Sequence, residues 1–265
     1  MKYILVDTLN MFFRGRHVIP ASADLHDKLG ISMHMLLMSA NKVAKHENID
    51  HVVFALEGGS NWRKEFYEPY KKPRAEQRQK RTEAEIEEDE LYWEVFNHFV
   101  THLKDNTNCS VIAAKTAEAD DVIARFIALH PDDDITIVST DTDYYQLVNE
   151  RVHIYNGIQK EYITLTGHFG DDGKPIVDKK TKEFKVLDDP NWLLFEKCIR
   201  GDKSDNVFSA FPGVRKKGTK NKVGLLEAFS DKEKKGYNWN NLMLQRWVDH
   251  KGVEHRVLDD YERNR

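Results

Sequence analysis

Apolar residues along this chain fall into two patterns. Short, mostly apolar runs at 3–6, 51–56, 110–113, 135–138 and 152–155 have the length of buried strands. Between them, apolar positions recur every three or four residues over 32–46, 83–104, 119–130 and 192–200, the spacing of amphipathic helices. Strands alternating with helices predict an α/β fold, a mainly parallel sheet flanked by helices. The Gly/Asp/Lys-rich stretch 168–185 reads as an exposed hairpin or loop. From Asp202 onward the texture changes to short helices joined by basic turns, with 222–229 and 239–250 as the members expected of a helical C-terminal subdomain.

Composition narrows the class. A chain of 265 residues, 40% of them hydrophobic, is long enough to bury a core in one large domain or one domain with a small appendage. No apolar run approaches the roughly twenty residues needed to cross a membrane, and the N-terminus enters a strand directly instead of a basic, apolar leader. Cytoplasmic residence is expected, in the host cytoplasm for a viral chain, with no membrane partner and a monomeric state. Cys109 and Cys198 form no disulfide framework and have no zinc-like spacing, so both read as buried apolar fillers, Cys109 in a strand and Cys198 in a helix.

Carboxylates supply the candidate chemistry. Glu118-Ala119-Asp120-Asp121, Asp141-Thr142-Asp143 and Asp202-Lys203-Ser204-Asp205 form three short clusters, and Asp7 closes the first apolar run. Each alone reads equally well as a helix cap or turn residue. Asp7 and Asp141 both follow strand-like runs, however, and so emerge where open α/β sheets place their ligand crevice. Acids gathered without compensating bases repel one another, and hard oxygen donors suit Mg²⁺ or Mn²⁺.

The net charge of −4 conceals two basic segments. Residues 61–81 carry eight Lys/Arg, among them Arg63, Lys64, Lys71, Lys72, Arg74 and Arg78, against three Glu, with the rings Trp62, Phe66, Tyr67 and Tyr70 interleaved. Residues 213–222 carry Arg215, Lys216, Lys217, Lys220 and Lys222 and no acid. Either segment alone reads as a solvated face. Together with a metal cage they favour a phosphodiester substrate, because phosphate attracts both cations and metals. Trp62, Tyr67 and Tyr70 could stack an unpaired base or seal a helix against the core.

Asp7, Glu118-Ala119-Asp120-Asp121, Ser139-Thr140-Asp141-Thr142-Asp143 and Gly201-Asp202-Lys203-Ser204-Asp205-Asn206, followed by Phe211-Pro212-Gly213-Val214 and a Lys-rich stretch, resemble the structure-specific 5′-nucleases. That family includes flap endonucleases, the 5′-nuclease domain of bacterial DNA polymerase I and phage 5′–3′ exonucleases of the RNase H type, and the phage branch fits best. The resemblance covers residues 1 to 260. It implies a PIN-like α/β core over 1–200 that includes a helical arch at 61–104, and a helix-three-turn-helix subdomain over 201–265. It further implies two Mg²⁺ ions, replaceable by Mn²⁺, held by Asp7, Glu57, Glu118, Asp120, Asp121, Asp141, Asp143, Asp202 and Asp205, several through water. Lys71 and Arg74 resemble the arch cations that act on the scissile phosphate. Arg63, Lys64, Tyr70, Lys72 and Arg78, with Arg215, Lys216, Lys217, Lys220 and Lys222 of the turn, resemble its nucleic-acid contacts, and the turn resembles one that holds K⁺ in relatives. The implied activity is Mg²⁺-dependent 5′–3′ exonuclease and flap endonuclease cleavage of DNA with a 5′ flap, nick or RNA primer. A single-stranded-DNA-binding protein or a sliding clamp would be its replication partner.

The chain departs from the family pattern in places. Glu57 stands after the second strand where the family has Asp, in a displaced register, and the turn at 214–220 is bulkier and more charged than usual. Relatives continue past Tyr261 with an apolar segment, so a longer natural protein or a trimmed branch is expected. A PIN-type single-strand ribonuclease shares the acidic sheet end but lacks the Gly-Asp-x-x-Asp-Asn module. A catalytically silent nucleic-acid binder gains nothing from carboxylates that repel phosphate.

Overall fold

Ile4, Leu5 and Val6 have no polar side to turn to water, and the chain places them, fully buried, in the middle of a sheet. The computed structural model describes residues 1–20, 23–59, 61–220 and 222–265. Its elements in chain order are β1 (Lys2–Asp7), α1 (Thr8–Val18), α2 (Leu25–Glu47), β2 (His51–Leu56), α3 (Trp62–Phe66), α4 (Lys72–Gln79), α5 (Glu83–Asn106), β3 (Ser110–Ala113), α6 (Ala119–Leu129) and β4 (Asp134–Val138). A 3-10 helix (Thr142–Leu147) follows, then β5 (Val152–Asn156), β6 (Glu161–Thr164), β7 (Gly167–Gly170), α7 (Pro190–Arg200), α8 (Leu225–Ser230), α9 (Tyr237–Met243), β8 (Arg246–Val248), β9 (Glu254–Arg256) and α10 (Val257–Asn264). They form two compact units: Met1–Trp62 with Lys80–Leu187, and Arg63–Gln79 with Asp188–Arg265.

The first unit is built on a seven-stranded sheet of order β3-β2-β1-β4-β5-β6-β7. The five strands from β3 to β5 are parallel, while β6 and β7 are antiparallel additions at one edge. Alternate residues serve opposite faces. Ile4, Val6 and Phe54 pack with Met11 and Phe12 of α1, Leu36 of α2 and Tyr92 of α5. Leu5, Val53 and Ala55 pack with Ile123 and Ile127 of α6. Strand order reverses at β1, so the carboxyl ends of β1 and β4 flank a topological switch point, the usual seat of a ligand crevice.

Local chemistry sets the helix ends. Thr82 and Glu85 cap α5 reciprocally, Glu85 Oε2 accepting from Thr82 N at 2.8 Å and Thr82 Oγ1 from Glu85 N at 3.3 Å. Helix α2 begins at Leu25, seven residues before the apolar spacing first shows, because Asp24 accepts from His26 N at 2.8 Å and caps it there. Helix α1 has no helical apolar spacing to announce it, and its start is set by the Asp7 cap.

The 168–185 stretch does not remain wholly a loop. Its first residues join the sheet as β7, where His168 is buried beside Glu161, and Val177 and Phe184 pair beyond it. The helix expected over 239–250 stops at Met243, because Arg246-Trp247-Val248 pairs with Glu254-His255-Arg256 around a turn at Gly252, φ 82°. Cys198 is buried in α7, but Cys109 is only partly buried and lies just before β3, outside the strand. No helix among the described residues is long and apolar enough to cross a membrane.

Close approach of α1 and α2 depends on Gly15. A Cβ there would stand 2.6 Å from Ser32 Oγ and 2.7 Å from Ser32 Cα. The hydroxyl could rotate away, but the backbone carbon could not. Gly15→Ala should therefore lose about 1–2 kcal/mol net, overpacking outweighing the gain of about 1 kcal/mol in helix propensity. The loss should appear as a lower urea midpoint with an unchanged slope.

Candidate active site

Four of the parallel strands deliver acids to the same edge of the sheet. Asp7 ends β1, Glu57 follows β2, Glu118, Asp120 and Asp121 sit at the turn from β3 into α6, and Asp141 and Asp143 lie just after β4. Several of these side chains also cap helices, which is why the backbone places them there. Asp7 Oδ1 accepts from Asn10 N at 3.4 Å at the start of α1, and Asp141 Oδ1 accepts from Asp143 N at 2.9 Å at the start of the 3-10 helix. Asp121 Oδ2 accepts from Glu118 N at 3.1 Å, and Asp120 Oδ1 accepts from Asp121 N at 2.7 Å. Capping and chemistry are not rivals here, since each carboxylate keeps a second oxygen.

Asp7, like Glu118, is only 7% exposed. Its Oδ2 accepts from Ser139 Oγ and Tyr144 Oη, each at 3.0 Å. Burial nevertheless pushes its carboxyl up to about 7, against those hydrogen bonds and with the Asp141 charge adding to the rise. The phenol of Tyr144 is raised well above its ordinary value, first by burial and then by the negative charges of Asp7, Asp120 and Asp141. Acids from three different strand ends thus act on one buried hydroxyl.

The sign of the Asp7 shift makes it testable. A carboxyl whose folded pKa is raised favours the folded state below its unfolded pKa near 4 and loses that contribution as pH rises through about 7. Three units correspond to at most about 4 kcal/mol. In EDTA, Asp7→Asn should raise the melting temperature at pH 8 by several degrees and change it little at pH 4.5. Equal melting temperatures at both pH values would contradict the shift.

Hard oxygen donors around an anion destabilised by burial suit a divalent cation. Among the described residues no three His, Cys, Asp or Glu side chains are arranged to hold an ion between them.

Asp202 and Asp205 belong to the second unit, and their surroundings differ. Burial raises the Asp202 carboxyl, but hydrogen bonds from Ser204 and Lys197 outweigh it and hold the group at about 2. Its Oδ2 lies 2.9 Å from Lys197 Nζ. Asp205 is gripped by the segment expected to form the arch: Arg74 Nη2 donates to Oδ1 at 2.7 Å and Tyr70 Oη to Oδ2 at 3.1 Å, with Lys71 Nζ 3.7 Å from Oδ2. The backbone N–H of Lys71, in a left-handed conformation at φ 52°, donates to the Asp205 carbonyl at 2.8 Å.

Tyr70 is only 6% exposed, so its ring is packed rather than presented for stacking on a base. Trp62 remains exposed, and its Nε1 donates to Asp121 Oδ2 at 3.2 Å. Lys64, Lys72 and Arg78 are exposed, whereas Arg63 is half-buried and lies 6.0 Å from the Tyr70 ring centroid. In the turn at 213–222, Arg215, Lys216, Lys217, Lys220 and Lys222 are all exposed, and Asn221 lies outside the described residues. Glu227 Oε2 closes that turn by accepting from Gly218 N at 2.9 Å and Gly224 N at 3.0 Å.

The family model of the 5′–3′ exonuclease N-terminal, resolvase-like domain matches residues 2–172, which span β1 to the end of the sheet and every candidate site acid of the first unit. The chain belongs to the 5′–3′ exonuclease family. It is accordingly a 5′ nuclease, a phosphodiester hydrolase. Among similar proteins is the flap endonuclease Xni of Pseudoalteromonas translucida, 26% identical over 238 residues that cover 87% of this chain and 79% of that protein. DNA polymerase I of Rhizobium leguminosarum is 27% identical over 86% of this chain but only 20% of the polymerase. The fold is that of the T5 5′-exonuclease solved with zinc bound, with TM-score 0.67 and 19% identity over all of this chain and 88% of that one. The bacteriophage T5 D15 flap endonuclease, in a complex with DNA and metal ions, gives a TM-score of 0.63 at 18% identity.

In this exonuclease-family chain the residues that sequence reasoning passed over are neutral ones. Asn10 Oδ1 accepts from Thr140 N at 3.1 Å, Thr140 Oγ1 at 2.8 Å and Ser139 Oγ at 3.3 Å, tying the end of β4 to α1. Tyr144 supplies the hydroxyl on which the acids act. The one available signal was that Asn10 lies three residues past Asp7, the place of a side chain one helical turn beyond a cap.

Proposed function

We propose that the chain is a Mg²⁺-dependent, structure-specific 5′ nuclease that cleaves phosphodiesters near the 5′ end of flapped, nicked or RNA-primed DNA in replication. The observation that carries this reading is the gathering of Asp7, Glu118, Asp120, Asp121, Asp141 and Asp143 at the carboxyl ends of the parallel strands, within the region the exonuclease family model matches. Asp7, Glu118, Asp120, Asp121, Asp141 and Asp143 are the first unit's candidates to hold two divalent ions, with Mn²⁺ an acceptable substitute. Asp202 and Asp205 are the second unit's candidates, and Glu57, exposed just past β2, is a peripheral one. Bound there, such ions supply charge neutralisation at the phosphate and a lowered pKa for water.

The remaining work falls to the protein's own groups. Ser139 and Tyr144 hold Asp7 in a fixed orientation, and Asn10 fixes the strand end that carries Asp141. Lys71 and Arg74, on the proposed arch, offset charge that grows on the phosphate in the transition state. Arg63, Lys64, Lys72 and Arg78, with the cations of the 213–222 turn, would grip backbone phosphates, giving little sequence preference because phosphates carry no base identity. The turn, read as part of a helix-three-turn-helix module, is also the candidate K⁺ site. The test uses 5′-labelled flap, nicked duplex, RNA–DNA hybrid and single-stranded RNA, each with Mg²⁺ or EDTA. Flap and nick cleavage that EDTA abolishes is the expected result. Cleavage confined to single-stranded RNA, or persisting in EDTA, would overturn the proposal.

A further inference from the structure

Within the second unit, the C-terminal helix α10 holds the base of the cation-bearing segment. Arg263 places its guanidinium 4.9 Å from the centroid of the Tyr67 ring, a cation over an aromatic face. The same guanidinium donates to Asp260, a buried carboxylate whose Oδ2 is paired with His255 Nδ1 at 3.0 Å. His255 stacks on Trp247 at 4.4 Å, and Trp247 Nε1 donates to the Ala210 carbonyl at 2.8 Å. Arg263 is thereby fixed from behind by Asp260, and from its own helix by Asn264 Oδ1, which accepts from Arg263 Nε at 3.2 Å and Nη2 at 3.0 Å.

Asn264 makes a second tie. Its Nδ2 donates to the carbonyls of Cys198 and Phe208, both at 2.9 Å. Phe208 in turn meets Tyr67, the rings lying edge to face at 6.1 Å and the Phe208 N–H donating to Tyr67 Oη at 3.4 Å. From Tyr67 the chain runs directly to the anchored residues: Asn206 Nδ2 donates to the Pro69 carbonyl at 2.7 Å, and Lys71 N and Arg74 Nη2 reach Asp205. The apolar side of α10, with Val257 and Tyr261 buried, already serves the core of this unit. Its polar side is spent on Tyr67 and Phe208.

We infer that Arg263 and Asn264 are positioning residues that act through Tyr67 and Phe208 to set where Lys71 and Arg74 present their charges. The inference rests on the proposed phosphate role of Lys71 and Arg74, and two readouts separate the two ideas. Hydrogen exchange of peptides spanning 67–75 in the substrate-free protein reports the docking alone, since the Lys71 N–H is bonded across to Asp205. Single-turnover flap cleavage, with affinity measured separately, reports the charges.

For Arg263→Ala, exchange over 67–75 should accelerate about tenfold or more while peptides from α7 and α8 keep their protection. Single-turnover cleavage should fall about tenfold or more with flap affinity within about twofold. Asn264→Ala, which keeps the Asp260 partner of Arg263 but removes its Asn264 acceptor and the ties to Cys198 and Phe208, should act in the same direction and covers the case in which Arg263→Ala does not fold. Arg263→Lys keeps a charge for Asp260 but not the planar group over the ring, and should restore protection only in part. Unchanged exchange over 67–75 in both alanine variants, or acceleration spread evenly over 188–265, would overturn the inference. Accelerated exchange over 67–75, with Lys71→Ala leaving cleavage untouched, would uphold the docking by α10 and remove the phosphate role of Lys71 instead.

Discussion

Asp141→Asn is expected to slow single-turnover flap cleavage by about three orders of magnitude, the upper range for loss of one preorganised electrostatic group, while flap binding stays the same or tightens slightly. The substitution is close to isosteric. Asp141 Oδ1 caps the 3-10 helix by accepting from Asp143 N at 2.9 Å, and the amide oxygen of Asn can accept the same bond, so the local fold should persist. What disappears is a negative charge that already acts on Asp7 and Tyr144. Near phosphate that charge opposes binding, and in a metal site it is indispensable, so affinity and rate should separate. Fluorescence anisotropy of a labelled flap, beside quenched-flow cleavage at saturating enzyme, measures both. A fall in binding that parallels the fall in rate would argue against a ligand role.

Lys71→Ala is expected to reduce the single-turnover rate by about two orders of magnitude with little change in affinity. The backbone should tolerate it, because a Lys already occupies the left-handed φ of 52° and Ala bears the same Cβ. The ammonium group lies 3.7 Å from Asp205 Oδ2 and 5.0 Å from the Tyr70 ring centroid, so its position is defined before any substrate arrives. If Lys71 serves only as part of a solvated basic face, the variant should bind modestly more weakly, show a salt slope lower by about one phosphate contact, and cleave at an unaltered rate when saturated. That pattern would leave the segment a purely guiding role.

The sequence alone determined the parallel sheet and the placement of acids along it. Unbroken apolar runs such as Tyr3–Val6 have one stable environment, a strand covered on both faces, and the residue after such a strand must emerge at its carboxyl end. Asp7 and Asp141 are therefore assignable to one edge from their positions alone, while Glu118-Ala119-Asp120-Asp121 reads as the start of a helix that only the fold brings to that edge. The tertiary structure decided what depends on contacts between distant positions. Asn10 and Tyr144 carry no chemical signature, and they matter because α1 and the 3-10 helix bring them against Ser139, Thr140 and Asp7. Tyr70 looked like an exposed ring in a basic segment, yet it packs inward because Asp205, 135 positions away, accepts its hydroxyl. Strand β7 is not legible in the sequence, since Gly167–Gly170 lacks a strand's apolar pattern and is held by ladder bonds to β6. Only folding shows Arg263 of α10 over Tyr67. Local pattern specifies elements through periodicity, whereas partners are specified by the free energy of burying particular surfaces together, which no single stretch of sequence contains.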